Sequence, residues 1–167
     1  MEFTNKIYLA SWESHLNDPD YRYKMETLNL KIIGKQDNWT TLIVNSGEIS
    51  KIIRRPSDYV GKYISYALSC PQKKEKEYDC LGFKGKYTNE SITKHFMDFV
   101  KIYVLCPKCD LPQTQLFIQK EKDKPKGLSH ICEACGEISL VKPKSFDKTF
   151  DYIEKNTKYF FKANVLH

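Results

Sequence analysis

The chain has 167 residues, enough for one or two small domains. Its 41% hydrophobic and 29% charged content is that of a soluble globular protein, not a disordered or fibrous one. The net charge of +6 comes from 27 bases mixed among 21 acids, which favours a polyanionic partner such as RNA. The opening Met-Glu-Phe-Thr-Asn-Lys lacks the apolar stretch of a signal peptide, and no apolar run reaches about 18 residues, so a cytoplasmic protein without a membrane partner is expected.

Residues 1–20 show no sustained period. Ile7, Tyr8, Leu9 and Trp12 are apolar, but Asn17-Asp18-Pro19 interrupts them, so an irregular N-terminal arm is predicted, with Trp12 a candidate anchor. Tyr21-Arg22-Tyr23-Lys24-Met25 alternates aromatics and bases. It leads into an alternating strand over 28–34, a turn at Gln36-Asp37-Asn38 and a β-branched strand over 39–45, together a hairpin. Asn45 followed three residues later by Glu48 has the form of a capping box. Ile49, Ile52 and Ile53 then give a short amphipathic helix, ended by Arg54-Arg55-Pro56. Tyr59, Val60, Tyr63, Ile64 and Ala67 mark a second helix to about Ser69. Residues 71–77 read as a solvated loop and 78–83 as a third strand. Thr88-Asn89 caps a third helix whose Ile92, Phe96, Phe99, Val100 and Tyr103 form a buried stripe, with His95 off it and facing solvent.

That helix runs without a linker into Cys106-Pro107-Lys108-Cys109. A second pair, Cys132-Glu133-Ala134-Cys135, follows after 22 intervening residues. The spacing is that of a zinc ribbon, in which two knuckles present four thiolates to one structural Zn²⁺ with no open position. Two disulfides, or an iron–sulfur centre, are the competing readings. His130 is left out because four cysteines already close the site, and Cys70 and Cys80 read as core or surface thiols. Strands at 115–119 and 129–131 flank a charged loop over 120–127. A short helix opens after Ser145, with Phe146, Phe150 and Ile153 on one face, and Tyr159, Phe160, Phe161 and Val165 complete an apolar, basic tail. The predicted fold is α+β: an arm (1–20), a small α/β sandwich (21–104), a four-cysteine zinc ribbon (105–141) and a C-terminal helix and tail (142–167).

Several of these segments, in order, resemble a known family. Asp18-Pro19, Tyr21-Arg22-Tyr23-Lys24-Met25, Val44-Asn45, Arg55-Pro56, Tyr59, Lys62-Tyr63, Tyr103-Val-Leu-Cys-Pro-Lys-Cys, Pro112-x-Thr114 and Cys132-Glu-Ala-Cys-Gly136 are similar to the N-terminal half of eukaryotic translation initiation factor 5 over roughly residues 18–155. The beta subunit of initiation factor 2 is a weaker match, because the Tyr-Arg-Tyr-Lys-Met opening is that of factor 5. The resemblance implies a translation factor on the small ribosomal subunit, near initiator tRNA, that stimulates GTP hydrolysis by the gamma subunit of initiation factor 2. It is then no enzyme itself, and a monomer within a large complex. The resemblance also implies that Arg22 acts as an arginine finger and that Lys62 supports it. Two departures stand out. Thr40 occupies the position of a family lysine, and the family's C-terminal helical-repeat domain is missing from the matching pattern.

From charge alone, Lys24, Arg54, Arg55, Lys108, Lys120, Lys122, Lys124 and Lys126 are candidate contacts to ribosomal RNA. The lost lysine and missing platform leave a second expectation: a ribosome-bound inhibitor or dormancy factor occupying a tRNA or mRNA site with the same fold.

Overall fold

The computed structural model describes residues 6–73, 77–122, 124–145 and 147–157. The arm predicted to be irregular contains β1 (Ile7–Tyr8) and one helical turn, α1 (Glu13–Leu16); β2 (Lys24–Met25), just beyond the arm, pairs antiparallel with β1, Ile7 opposite Met25. Leu9 and Ala10 are buried, so the arm is docked. Trp12 does not anchor it in the core; it stays 43% exposed and stacks on His15.

The predicted hairpin is β3 (Leu30–Lys35) and β4 (Asn38–Ile43), in register from Leu30 opposite Ile43 to Lys35 opposite Asn38. Gln36 and Asp37 make its two-residue turn, with Gln36 at φ 53°, as the twist of such a hairpin requires. Helix α2 (Ser46–Ile53) follows, but Asn45 does not cap it. Its side chain accepts from the Asn29 backbone N–H (2.9 Å) and donates to the Thr27 carbonyl (3.0 Å), fastening the entry to β3. Arg54, left-handed at φ 55°, ends α2, and Pro56 precedes α3 (Ser57–Leu68). Part of the expected solvated loop is instead the edge strand β5 (Gln72–Lys73), paired to β6 (Leu81–Lys84). The sheet order is β3-β4-β6-β5, all antiparallel.

Helix α4 (Asn89–Tyr103) begins where Thr88 accepts from the Ser91 N–H at 3.2 Å, as the sequence predicts. All five residues of its apolar stripe are buried. They pack with Ile43, Ile53, Ile64 and Phe83 in one hydrophobic cluster that continues into Ile118, Leu128 and Val141 of the ribbon. Truncating a side chain such as Phe96, 1% exposed, costs about 3–5 kcal/mol in such a setting.

The ribbon is β7 (Thr114–Glu121), β8 (Lys124–Cys132) and β9 (Ile138–Leu140), antiparallel in that order. Helix α5 (Lys148–Asn156) packs on α3. Its cap is Asp147, which accepts from the Thr149 N–H (2.9 Å) and from the Tyr103 hydroxyl (2.6 Å), tying α5 to the end of α4. Phe146 and the tail residues Tyr159, Phe160, Phe161 and Val165 lie outside the described residues.

Candidate metal centre and basic surface

Val104 and Leu105 remain buried after α4, so Cys106 enters the ribbon from a fixed point. Both knuckles close with the same backbone pattern. The Cys106 N–H donates to the Leu111 carbonyl (3.0 Å) and the Asp110 N–H to the Cys106 carbonyl (2.8 Å). In the second, Cys132 N–H donates to Glu137 (2.9 Å) and Gly136 N–H to Cys132 (2.9 Å). Sulfurs of Cys106 and Cys135 stand 3.7 Å apart, those of Cys109 and Cys132 3.6 Å, and all four lie within 4.8 Å of one another. A tetrahedral site with Zn–S near 2.3 Å has sulfur–sulfur edges of about 3.8 Å, so the four thiolates fit that ion. The cysteines are free, their sulfurs standing well beyond the length of a disulfide bond. Burial pushes the Cys109 thiol up to about 12, so an ion binding there displaces a proton. Cys135, exposed, is held below the usual thiol range by a backbone hydrogen bond from Glu137. His130, two residues before Cys132, is buried, and burial with the nearby Arg55 charge brings it down to about 4. It is a neutral core histidine outside the four-sulfur cluster.

The paired arginines have opposite fates. Arg54 is exposed and meets Glu133 of the second knuckle at 2.8 Å. Arg55, expected on an RNA-facing surface, is 3% exposed and committed internally. Its guanidinium donates to the carbonyls of Tyr103 (2.9 Å) and Thr114 (2.9 Å) and to the Thr114 hydroxyl (2.7 Å). The Thr114 hydroxyl donates in turn to the Val104 carbonyl. Burial pulls the guanidinium down to about 9, still protonated at neutral pH. Arg55 thus joins the end of α4 to β7 and is withdrawn from any phosphate contact. The left-handed turn at Arg54 separates the two side chains, a feature the Arg-Arg dipeptide does not reveal.

Arg22 is exposed, with its guanidinium 5.8 Å from the Tyr23 ring centre. Its neighbours are both fixed to Leu9: the Tyr21 hydroxyl donates to the Leu9 carbonyl (2.9 Å), and the Leu9 N–H donates to the Tyr23 carbonyl (2.9 Å). Lys62, half-buried on α3, lies 5.2 Å over the Tyr152 ring of α5. Lys24 donates to the Pro19 carbonyl (2.6 Å) and sits over Tyr8. Lys108 is exposed beside Glu137 at 3.0 Å. Lys120 is half-buried near the β7–β8 tip, where Lys122 and Lys124 are exposed; nothing is described of the Lys126 side chain. Thr40 is buried in β4.

Sequence reading missed Asp110. Its carboxylate, 2% exposed, accepts from the Ser11 N–H (2.8 Å), the Ser11 hydroxyl (2.6 Å) and the Trp12 N–H (2.8 Å), and meets His15 Nδ1 at 3.1 Å. The available signal was an acid standing after Cys109 where Gly136 stands after Cys135.

A helix-covered antiparallel sheet continued without a linker into a four-cysteine ribbon defines an α+β module of the zinc-ribbon class. The family model for the domain found in initiation factors 2B and 5 matches residues 13–138, and the chain belongs to that family. It is 35% identical over 119 residues to eukaryotic translation initiation factor 5 of Caenorhabditis elegans, covering 71% of this chain and 26% of that protein. The factor of the same name from Drosophila melanogaster is 31% identical over 135 residues, 81% of this chain and 28% of the relative. That of Saccharomyces cerevisiae is 30% identical over 121 residues, 72% of this chain and 29% of the relative. The chain therefore spans roughly a quarter to a third of the length of these curated relatives. Among the described residues no helix is long and apolar enough to cross a membrane.

Proposed function

We propose that this chain acts as a translation initiation factor in the cytoplasm, binding the small ribosomal subunit and its rRNA and stimulating GTP hydrolysis by initiation factor 2 beside initiator tRNA. It supplies a residue to another protein's active site and is no enzyme alone. The observation that carries the reading is Arg22: an exposed guanidinium between two residues pinned to Leu9, on a chain whose relatives bear the name of factor 5. A planar, permanently charged fork suits the charge that develops on a transferring phosphoryl group, and an arginine supplied in trans is worth about 10³–10⁵ in rate. Lys62, over the Tyr152 ring, adds positive charge near α5. A structural Zn²⁺ on Cys106, Cys109, Cys132 and Cys135 holds the ribbon that, with Lys24, Arg54, Lys108, Lys122 and Lys124, presents a basic surface to rRNA.

The test is single-turnover GTP hydrolysis by initiation factor 2 in a reconstituted initiation complex. Arg22→Ala should lower stimulation by about a thousandfold, and Arg22→Lys should be nearly as harmful because an ammonium lacks the two-oxygen fork. Ribosome affinity should change little. An unmodified protein that sediments with ribosomes in a salt-dependent way yet gives no stimulation would replace this reading with occupancy of a tRNA or mRNA site.

A further inference from the structure

The two knuckles share a backbone turn but not the residue at its left-handed position. Gly136 takes it at φ 77° in the second knuckle and Asp110 at φ 60° in the first. Glycine enters this region freely, whereas a residue with a Cβ does so against its preference, even though Asp tolerates it better than most. Asp110 therefore stands in an unfavourable conformation, with a buried carboxylate, one residue beyond a metal ligand. Each of its side-chain hydrogen bonds described here goes to one place, the N-terminal arm. It grips the chain just ahead of α1 from about a hundred residues away, taking the Ser11 and Trp12 N–H groups and the Ser11 hydroxyl. Trp12, the residue that precedes α1, makes no side-chain cap of its own.

The contact continues to Arg22 in short steps. His15 meets the Asp110 carboxylate at 3.1 Å, and its ring stacks on Tyr21 with centroids 4.9 Å apart. Tyr21, 6% exposed, donates to Leu9, and Leu9 donates to Tyr23. Arg22 is the residue between. We propose that Asp110 is a positioning residue that fastens the N-terminal arm, and through it the segment carrying Arg22, to the first cysteine knuckle, so that the knuckle sets how Arg22 is presented. The last clause rests on the activator reading above; the fastening itself does not.

The experiment uses the full chain loaded with zinc. Asp110→Gly deletes the carboxylate and also relieves the backbone, so the knuckle should fold and retain about one equivalent of metal. Hydrogen exchange should then quicken by about tenfold or more at the Ser11 and Trp12 amides, since bonds to a charged acceptor are lost, while the Cys106 and Asp110-position amides inside the knuckle keep their protection. Asp110→Asn, keeping one acceptor oxygen, should fall between. Native protection at Ser11 and Trp12 in Asp110→Gly would overturn the proposal. In the GTP hydrolysis assay, Asp110→Gly should reduce stimulation by about tenfold in the Arg22 protein and not further in the Arg22→Ala background. Equal losses in both backgrounds would show that Asp110 acts elsewhere and would overturn its link to Arg22. If the unmodified protein gives no stimulation, the activator reading fails by itself, and amide exchange still decides whether Asp110 holds the arm.

Discussion

The two cysteine knuckles are alike in spacing, in their closing hydrogen bonds and in the sulfurs they offer, yet they are embedded differently. The first leaves α4 through buried Val104 and Leu105 and has Arg55 beneath it and the arm clamped on Asp110. The second, past its buried Cys132, lies at the surface: Glu133, Ala134, Cys135 and Gly136 are exposed, a Cβ placed on Gly136 meets nothing within 4 Å beyond its chain neighbours, and Glu133 reaches the body through a surface pair with Arg54. One turn of chain can therefore serve as a metal clasp alone, or as a clasp that also organises the protein. The difference is made by the residues around it, not by the ligands.

The largest effect should treat the knuckles as equals. Cys109→Ser and Cys135→Ser should each abolish stoichiometric zinc and unfold the ribbon, because structural zinc is worth about 10–16 kcal/mol in comparable peptides. Metal analysis and circular dichroism check this, and a Cys135→Ser protein that still holds a full equivalent would break the equivalence. A middle effect should separate them. Arg55→Met removes the guanidinium's hydrogen bonds to the buried carbonyls of Tyr103 and Thr114 and should cost about 3 kcal/mol in chemical denaturation. Arg54→Met removes only the exposed pair with Glu133 and should cost less than about 1 kcal/mol. Similar losses for the two would mean that the second knuckle depends on the body as much as the first does. The smallest effect tests the left-handed position itself. Gly136→Asp should cost about 1 kcal/mol with zinc content unchanged, since it acquires the strain of Asp110 without an arm to hold.

What could be read in the sequence was local or periodic. The α4 stripe, the hairpin with its turn at Gln36-Asp37 and the paired cysteines announce themselves within windows of a few residues. What could not be read depends on partners far along the chain. The arm pairs with Lys24–Met25 and meets a carboxylate about a hundred residues away, partners that no window over residues 1–20 contains. Asn45 has the spacing of a helix cap, but the Asn29 N–H and Thr27 carbonyl compete for its side chain and win. Arg55 is indistinguishable from Arg54 until the left-handed turn points one inward. Gln72–Lys73 lies next to a lysine- and glutamate-rich stretch that reads as solvated, yet pairing to β6 makes it a strand.

Helix α4 has a mechanical consequence beyond its core stripe. At 15 residues it is a strut about 22 Å long. Near its far end the Asn89 side chain donates to the Leu28 carbonyl (2.7 Å), and beyond its near end Asp110 grips Ser11. Residues 11–28 are thus strung between the two ends of the strut, like a cord on a bow, with Arg22 along the cord. The span of that cord is set by the length of the helix and the seat of the first knuckle, and buried Tyr21, Met25 and Leu28 hold it against the body along the way.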